Sequence, residues 1–132
     1  MKFNHIGIFS KNIKVGKKIL CSYLNIKKIF KIFYDKNLGV KVIFITDTSN
    51  ITYEIVAPYG KKNPVKKLLD QNKNILNHVA YKVKNFDNQI KILRQKGFAP
   101  LNTPKKAKAF RNKKICFFLT PLSFIIEIIE DD

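Results

Sequence analysis

The chain has two histidines, His5 and His78. Each is followed by a glutamate at the same distance: 54 − 5 = 49 residues to Glu54, and 127 − 78 = 49 to Glu127. Both glutamates stand among apolar residues, in TYEIV at 52–56 and IIEII at 125–129. A carboxylate buried there without a partner is costly, and here the cost is met twice. Alternate side chains of a strand share a face. His5, Gly7 and Phe9 then share one face of FNHIGIF (3–9), while Thr52, Glu54 and Val56 share one face of TYEIV. Two imidazoles and two carboxylates form a donor set for Zn²⁺, Ni²⁺, Co²⁺, Mn²⁺ or Fe²⁺. On a six-coordinate ion they leave two positions for substrate oxygens. A lone strand histidine is usually structural. Every histidine of the chain paired with a glutamate at equal spacing points instead to a metal.

The spacing belongs to a longer repeat. The histidines are 78 − 5 = 73 residues apart, and at that offset five segments align without a gap. Phe3-Asn4-His5-Ile6 falls on Leu76-Asn77-His78-Val79, and Lys11-Asn12-Ile13 on Lys84-Asn85-Phe86. Lys18-Ile19-Leu20 falls on Lys91-Ile92-Leu93, and Lys41–Ile45 on Lys114–Phe118. Thr52–Val56 falls on Ile125–Ile129. Self-similarity at one fixed period is a strong organisational signal. With two copies it reads as one duplicated module.

Hydrophobic periodicity then supplies the elements that carry these residues. Residues 3–9 read as a strand. Lys11–Leu24 reads as a helix, with apolar Ile13, Val15, Ile19, Leu20 and Leu24. Ile26–Tyr34, Gly39–Thr46 and Ile51–Val56 read as strands, with Asp- and Asn-rich turns between them. The second copy repeats the order: a strand at 76–83, a helix at Asn85–Gln95 closed by Gly97, and strands near 98–101, 113–119 and 124–130. Pro104–Lys114 reads as a basic loop. Pro64–Leu69 suggests a short helix in the intervening linker. The expected fold is α+β, two tandem βαβββ modules around a sheet-lined, metal-containing cleft. We place it in a single domain, 1–132, with module one at 1–57, a linker at 58–75 and module two at 76–132. If the modules pack about a pseudo-two-fold axis, the four side chains converge near it.

Composition bounds the alternatives. The net charge of +17 suggests a polyanion partner, but 26 − 2 = 24 of the basic residues are lysine and only Arg94 and Arg111 are arginine. Duplex readers lean on arginine for bidentate base contacts. The lysines are also spread along the chain, so no specific nucleic-acid partner is expected. No apolar run reaches membrane-spanning length and no signal peptide is evident, so a cytoplasmic protein without a membrane partner is expected. Cys21 and Cys116 are expected to be reduced and buried.

Taken together, these residues resemble the vicinal oxygen chelate superfamily, in which paired βαβββ modules hold a metal between them. The stretch YEIVAPYGKKNPVKKLLDQNKNILNHVAYKV is similar to the methylmalonyl-CoA epimerase-like branch, and FIIEIIE resembles that branch's terminal metal-ligand strand. The resemblance implies His5, Glu54, His78 and Glu127 as ligands of one divalent metal. It implies Lewis-acid chemistry at a substrate carbonyl, with a carboxylate moving a proton, Glu127 first and Glu54 second. It further implies an epimerase or isomerase acting on a small molecule, such as a CoA or carrier-protein thioester, in a homodimer. A lactoylglutathione lyase-like isomerase, a dioxygenase and a non-catalytic small-molecule binder are the alternatives.

Three departures qualify the match. The epimerases carry a second glutamate near Lys41, and GVKVIFI (39–45) has no carboxylate. Thr120-Pro121-Leu122-Ser123 replaces the lyases' Asp-Pro-Asp-Gly turn, and the lyases' Phe-Tyr helix motif is missing. Where epimerases carry glycines, TPKKAKAFRNKK carries Lys105, Lys106, Lys108 and Arg111. These four are candidates to grip a substrate phosphate or carboxylate, against the plainer reading of a solvated loop.

Overall fold

The computed structural model describes residues 1–60 and 76–132. The helix expected at Pro64–Leu69 lies outside them. The chain divides into two compact units: His5–Asn77, the N-terminal unit, and His78–Asp132 with Met1–Asn4, the C-terminal unit.

In the N-terminal unit, β1 (Lys2–Phe9) leads into α1 (Ile13–Tyr23). Asn12 caps that helix, its Oδ1 accepting from the Val15 amide at 2.8 Å. Then follow β2 (Ile26–Ile29), β3 (Phe33–Asp35), β4 (Val40–Asp47) and β5 (Thr52–Pro58). The order is β2-β4-β5-β1, with β3 also on β4. β1 and β5 run parallel; the β2–β4, β3–β4 and β4–β5 pairs are antiparallel. The single strand expected at Ile26–Tyr34 is therefore two. Its pairing with β4 slips between Ile26 and Lys28, a bulge that bends the strand before β3 resumes.

The C-terminal unit repeats this plan with β6 (Leu76–Val83), α2 (Phe86–Gln95), β7 (Ala99–Pro100), β8 (Lys105–Ala107), β9 (Lys113–Leu119) and β10 (Ile125–Glu130). The order is β6-β10-β9-β7, with β8 also on β9. The loop expected at Pro104–Lys114 contains a strand, β8, and a 3₁₀ turn at Lys108–Phe110. Gly97 closes α2 at φ +85°, a conformation that costs glycine little. The fold is thus α+β and dominated by mixed sheet, with two α-helices among the described residues, as the periodicity requires.

Each unit buries one face of its strands under its helix. The N-terminal core contains Ile13, Leu20, Ile43, Ile45, Ile55 and Ala57. The C-terminal core contains Phe86, Leu93, Cys116, Phe118 and Ile128, with Val83 and Ile126. Five positions coincide at the 73-residue offset: Ile13 with Phe86, Leu20 with Leu93, Ile43 with Cys116, Ile45 with Phe118, and Ile55 with Ile128. Volume moves between positions within a core, while the apolar pattern stays. Gly16 lets α1 sit close on β5, since an added Cβ would lie 2.8 Å from Ile55 Cγ2.

Cys116 is buried and Cys21 is exposed on α1, which corrects the expectation for Cys21. The helical pattern around Cys21 turns only Ile13 and Leu20 fully inward and leaves Val15 and Ile19 exposed. Burial pushes the Cys116 thiol pKa up, and its Sγ donates to the Asn102 carbonyl at 3.3 Å. Among the described residues no helix is long and apolar enough to cross a membrane.

Candidate metal centre

Opposite the helix-covered face, the strands of each unit carry one of the histidine–glutamate pairs. In the N-terminal unit, cross-strand register sets Glu54 against Gly7 on one side and Phe44 on the other. Paired residues share a face, so His5, Gly7, Glu54 and Phe44 line one surface. The C-terminal unit repeats the register: Glu127 lies against Ala80 and Phe117. Each of these residues is displaced from its counterpart by 73.

The geometry repeats as well. His5 Nε2 lies 3.5 Å from Glu54 Oε1, and His78 Nε2 lies 3.1 Å from Glu127 Oε2. The His5 ring meets Phe44 edge-on at 5.5 Å between centroids, and the His78 ring meets Phe117 at 5.2 Å. All four polar side chains are buried, with His5 at 0% and Glu127 at 2% exposure. Burying a carboxylate beside an imidazole is a poor route to stability, because desolvation offsets much of the attraction. Two such pairs at equivalent places are better explained as donors kept for a ligand.

The donor spacing fits a cation. Bond lengths of about 2.1 Å to imidazole and carboxylate put neighbouring donors roughly 3.0 Å apart in an octahedral shell and roughly 3.4 Å in a tetrahedral one. The two observed separations, 3.5 and 3.1 Å, each lie close to one of these values. Among the described residues, the candidate metal-ligating group consists of His5, Glu54, His78 and Glu127.

No carboxylate from β4 joins this face, which β4 lines with Val40, Val42, Phe44 and Thr46. Lys41 projects to the other side with the core residues Ile43 and Ile45. The four basic candidates stand on one hairpin but not on one face. Lys105 and Lys106 are neighbours on β8 and point to opposite sides. Lys108 opens the 3₁₀ turn, and Arg111 closes it in the left-handed region at φ 53°. Sequence reasoning missed Phe44 and Phe117, the rings that hold the imidazoles. Their signal was available: both lie in matched segments of the repeat, VIF and ICF, at the offset that relates the histidines.

Comparison with known proteins agrees with this architecture. Residues 4–117 match the family described as the Glyoxalase/Bleomycin resistance protein/Dioxygenase superfamily, and the chain belongs to that superfamily. A hypothetical protein from Bacillus halodurans superimposes with a TM-score of 0.82 at 23% identity, covering 99% of this chain and 94% of that one. Methylmalonyl-CoA epimerase from Mycobacterium tuberculosis does so with a TM-score of 0.79 at 20% identity, covering 99% and 88%. Glyoxalase I from Zea mays gives 0.64 at 15%, covering 98% and 42%. At these identities the likeness establishes the fold alone. No curated protein matches the sequence significantly.

Proposed function

We propose that His5, Glu54, His78 and Glu127 together hold one divalent metal ion in a single two-module domain, and that the protein is a metal-dependent epimerase or isomerase. The observation that carries this reading is the duplicated, buried histidine–glutamate pair, with the same cross-strand register and the same ring contact in both units. A bound metal would supply Lewis-acid polarisation of a substrate carbonyl. The chain's own part is to orient and to move the proton. Phe44 and Phe117 hold the imidazoles edge-on and keep water from the carboxylates. Glu127 carries the proton next to the carbonyl, with Glu54 as the second carrier. An acyl thioester is the substrate class this chemistry suits, and a homodimer is the assembly in which we place it. The fold is shared with methylmalonyl-CoA epimerase and with glyoxalase I, so the choice of this branch rests on the resemblance of the ligand-bearing segments.

The test begins with metal content, measured by elemental mass spectrometry on the wild type and on the double variant His78→Ala/Glu127→Ala. About one transition metal per chain in the wild type, lost in the variant, is the expected result. Solvent-deuterium exchange into candidate thioesters then tests the proton step. A wild type that stays empty after loading with Co²⁺, Ni²⁺ and Zn²⁺ would sink the enzyme reading and leave a small-molecule binder.

A further inference from the structure

The two units share their histidine–glutamate face but differ in the outer strand that borders it. In the N-terminal unit, Phe33 of β3 pairs with Val42 of β4. Val42 and Phe44 alternate onto the same face, and the Phe33 ring meets Phe44 at 6.4 Å. Phe44 in turn meets His5. Phe33 is therefore one ring removed from the imidazole. In the C-terminal unit the same place, opposite Ile115 of β9, is taken by Lys105. Since 42 + 73 = 115, the β4 and β9 positions correspond. The outer strand does not keep the offset: 105 − 33 = 72. β8 has slipped by one residue relative to the repeat.

A one-residue slip turns every side chain of a strand to the other face. Without it, Lys106 would stand where Phe33 stands. With it, Lys106 pairs with Lys114, which is on the helix side beside Asp87 and over the Phe86 ring. Lys105 is brought onto the face of Ile115, Phe117 and His78. Its diagonal neighbour on β9 is Phe117, roughly 7–8 Å away and within reach of a long side chain, and Glu127 lies one strand further, opposite Phe117. The other lysine on this face of the hairpin, Lys113, is held by Asp132. Lys105 has no ion-pair partner among the described residues.

We infer that Lys105 is a specificity residue that holds an anionic group of the substrate, a carboxylate or a phosphate, at the border of the face that carries the His78–Glu127 pair. This rests on the reading of that face as the active site. Of the two lysines on β8, the register selects this one. A charged hydrogen bond to a single lysine is among the stronger polar contacts, and the apolar Phe33 offers nothing comparable.

The test is isothermal titration of the Co²⁺-loaded protein with phenyl phosphate and, separately, with succinate, at one ionic strength. Wild type is compared with Lys105→Gln and Lys106→Gln, which remove equal charge from opposite faces. We expect Lys105→Gln to weaken binding about tenfold and Lys106→Gln less than twofold. The probe that shows this dependence tells phosphate from carboxylate. Equal weakening by both variants, or no binding of either probe, overturns the inference. Metal content measured on the same samples separates the two claims. A metal-bearing protein indifferent to Lys105 keeps the metal reading and loses the anion site. A metal-free protein that still depends on Lys105 does the reverse.

Discussion

Where the N-terminal unit places Phe33 against Phe44, the C-terminal unit presents Lys105 to solvent, and the imidazole beneath is held the same way in both. The contrast separates what duplication preserves from what it releases. The paired strands β1–β5 and β6–β10, together with β4 and β9, keep one offset throughout. They carry the ligands and the cores, so a slip there would turn a histidine or a glutamate into the opposite core. The outer strands β3 and β8 carry neither. They tolerated the slip, and through it one unit kept an apolar border while the other gained a cation. The proposed anion contact lies on an outer strand, and the candidate ligands lie on the inner strands of each unit.

The sharpest way to break the symmetry is to ask which glutamate moves the proton. Glu127→Gln and Glu54→Gln remove the same charge from equivalent places. With Glu127 as the carrier, its loss should lower substrate-proton exchange by roughly 10²–10⁴-fold. Glu54→Gln should lower it by less at equal metal content. Exchange measured alongside metal occupancy checks this, and the opposite order would transfer the role to Glu54.

The repeat made much of this legible in advance. The histidines, the glutamates and the faces they take on their strands follow from alternation and one offset; the parallel pairing of the ligand strands does not. What the sequence hid lay where local signals are weak. Residues 30–32 divide a run that reads as one strand, because Phe30 and Ile32 keep it apolar throughout. β8 looked like a loop because Lys105 and Lys106 are charged, yet an edge strand accepts lysines readily. The slip from 73 to 72 follows from hydrogen-bond register, and alternation of two lysines cannot reveal it. Cys21 lies in a helical pattern whose inward arc is narrower than its apolar content suggests.

The cores offer a comparison of intermediate size. Ile45 and Phe118 are equivalent, and both are at 0% exposure. Truncation to alanine leaves a cavity in either unit. We expect Phe118→Ala to cost about 3–5 kcal/mol and Ile45→Ala about 2–5 kcal/mol. Urea denaturation checks both. If the units unfold together, each variant lowers one shared midpoint; a biphasic curve in either would show that one copy unfolds alone.

The smallest effect concerns the turns that aim the glutamates. Asp47 and Thr120 occupy equivalent positions, and both are buried. Asp47 Oδ1 accepts from the Ser49 and Ile51 amides at 2.9 and 3.0 Å. Thr120 Oγ1 accepts from the Leu122 and Phe124 amides at 3.2 and 3.4 Å. The turn is the same, with weaker bonds from a neutral oxygen. Each turn also has a residue in the left-handed region: Asn50 at φ 63° and Ser123 at φ 64°. Asparagine tolerates that region better than serine. Ser123→Asn should therefore raise stability by about 0.5 kcal/mol, while Asn50→Ser should lower it by a similar amount. Matched thermal melts check the pair. The changes should be opposite in sign, because the turns differ in side chain and share one backbone. Equal signs would mean that the backbone is not shared, and the duplication would then end at the strands.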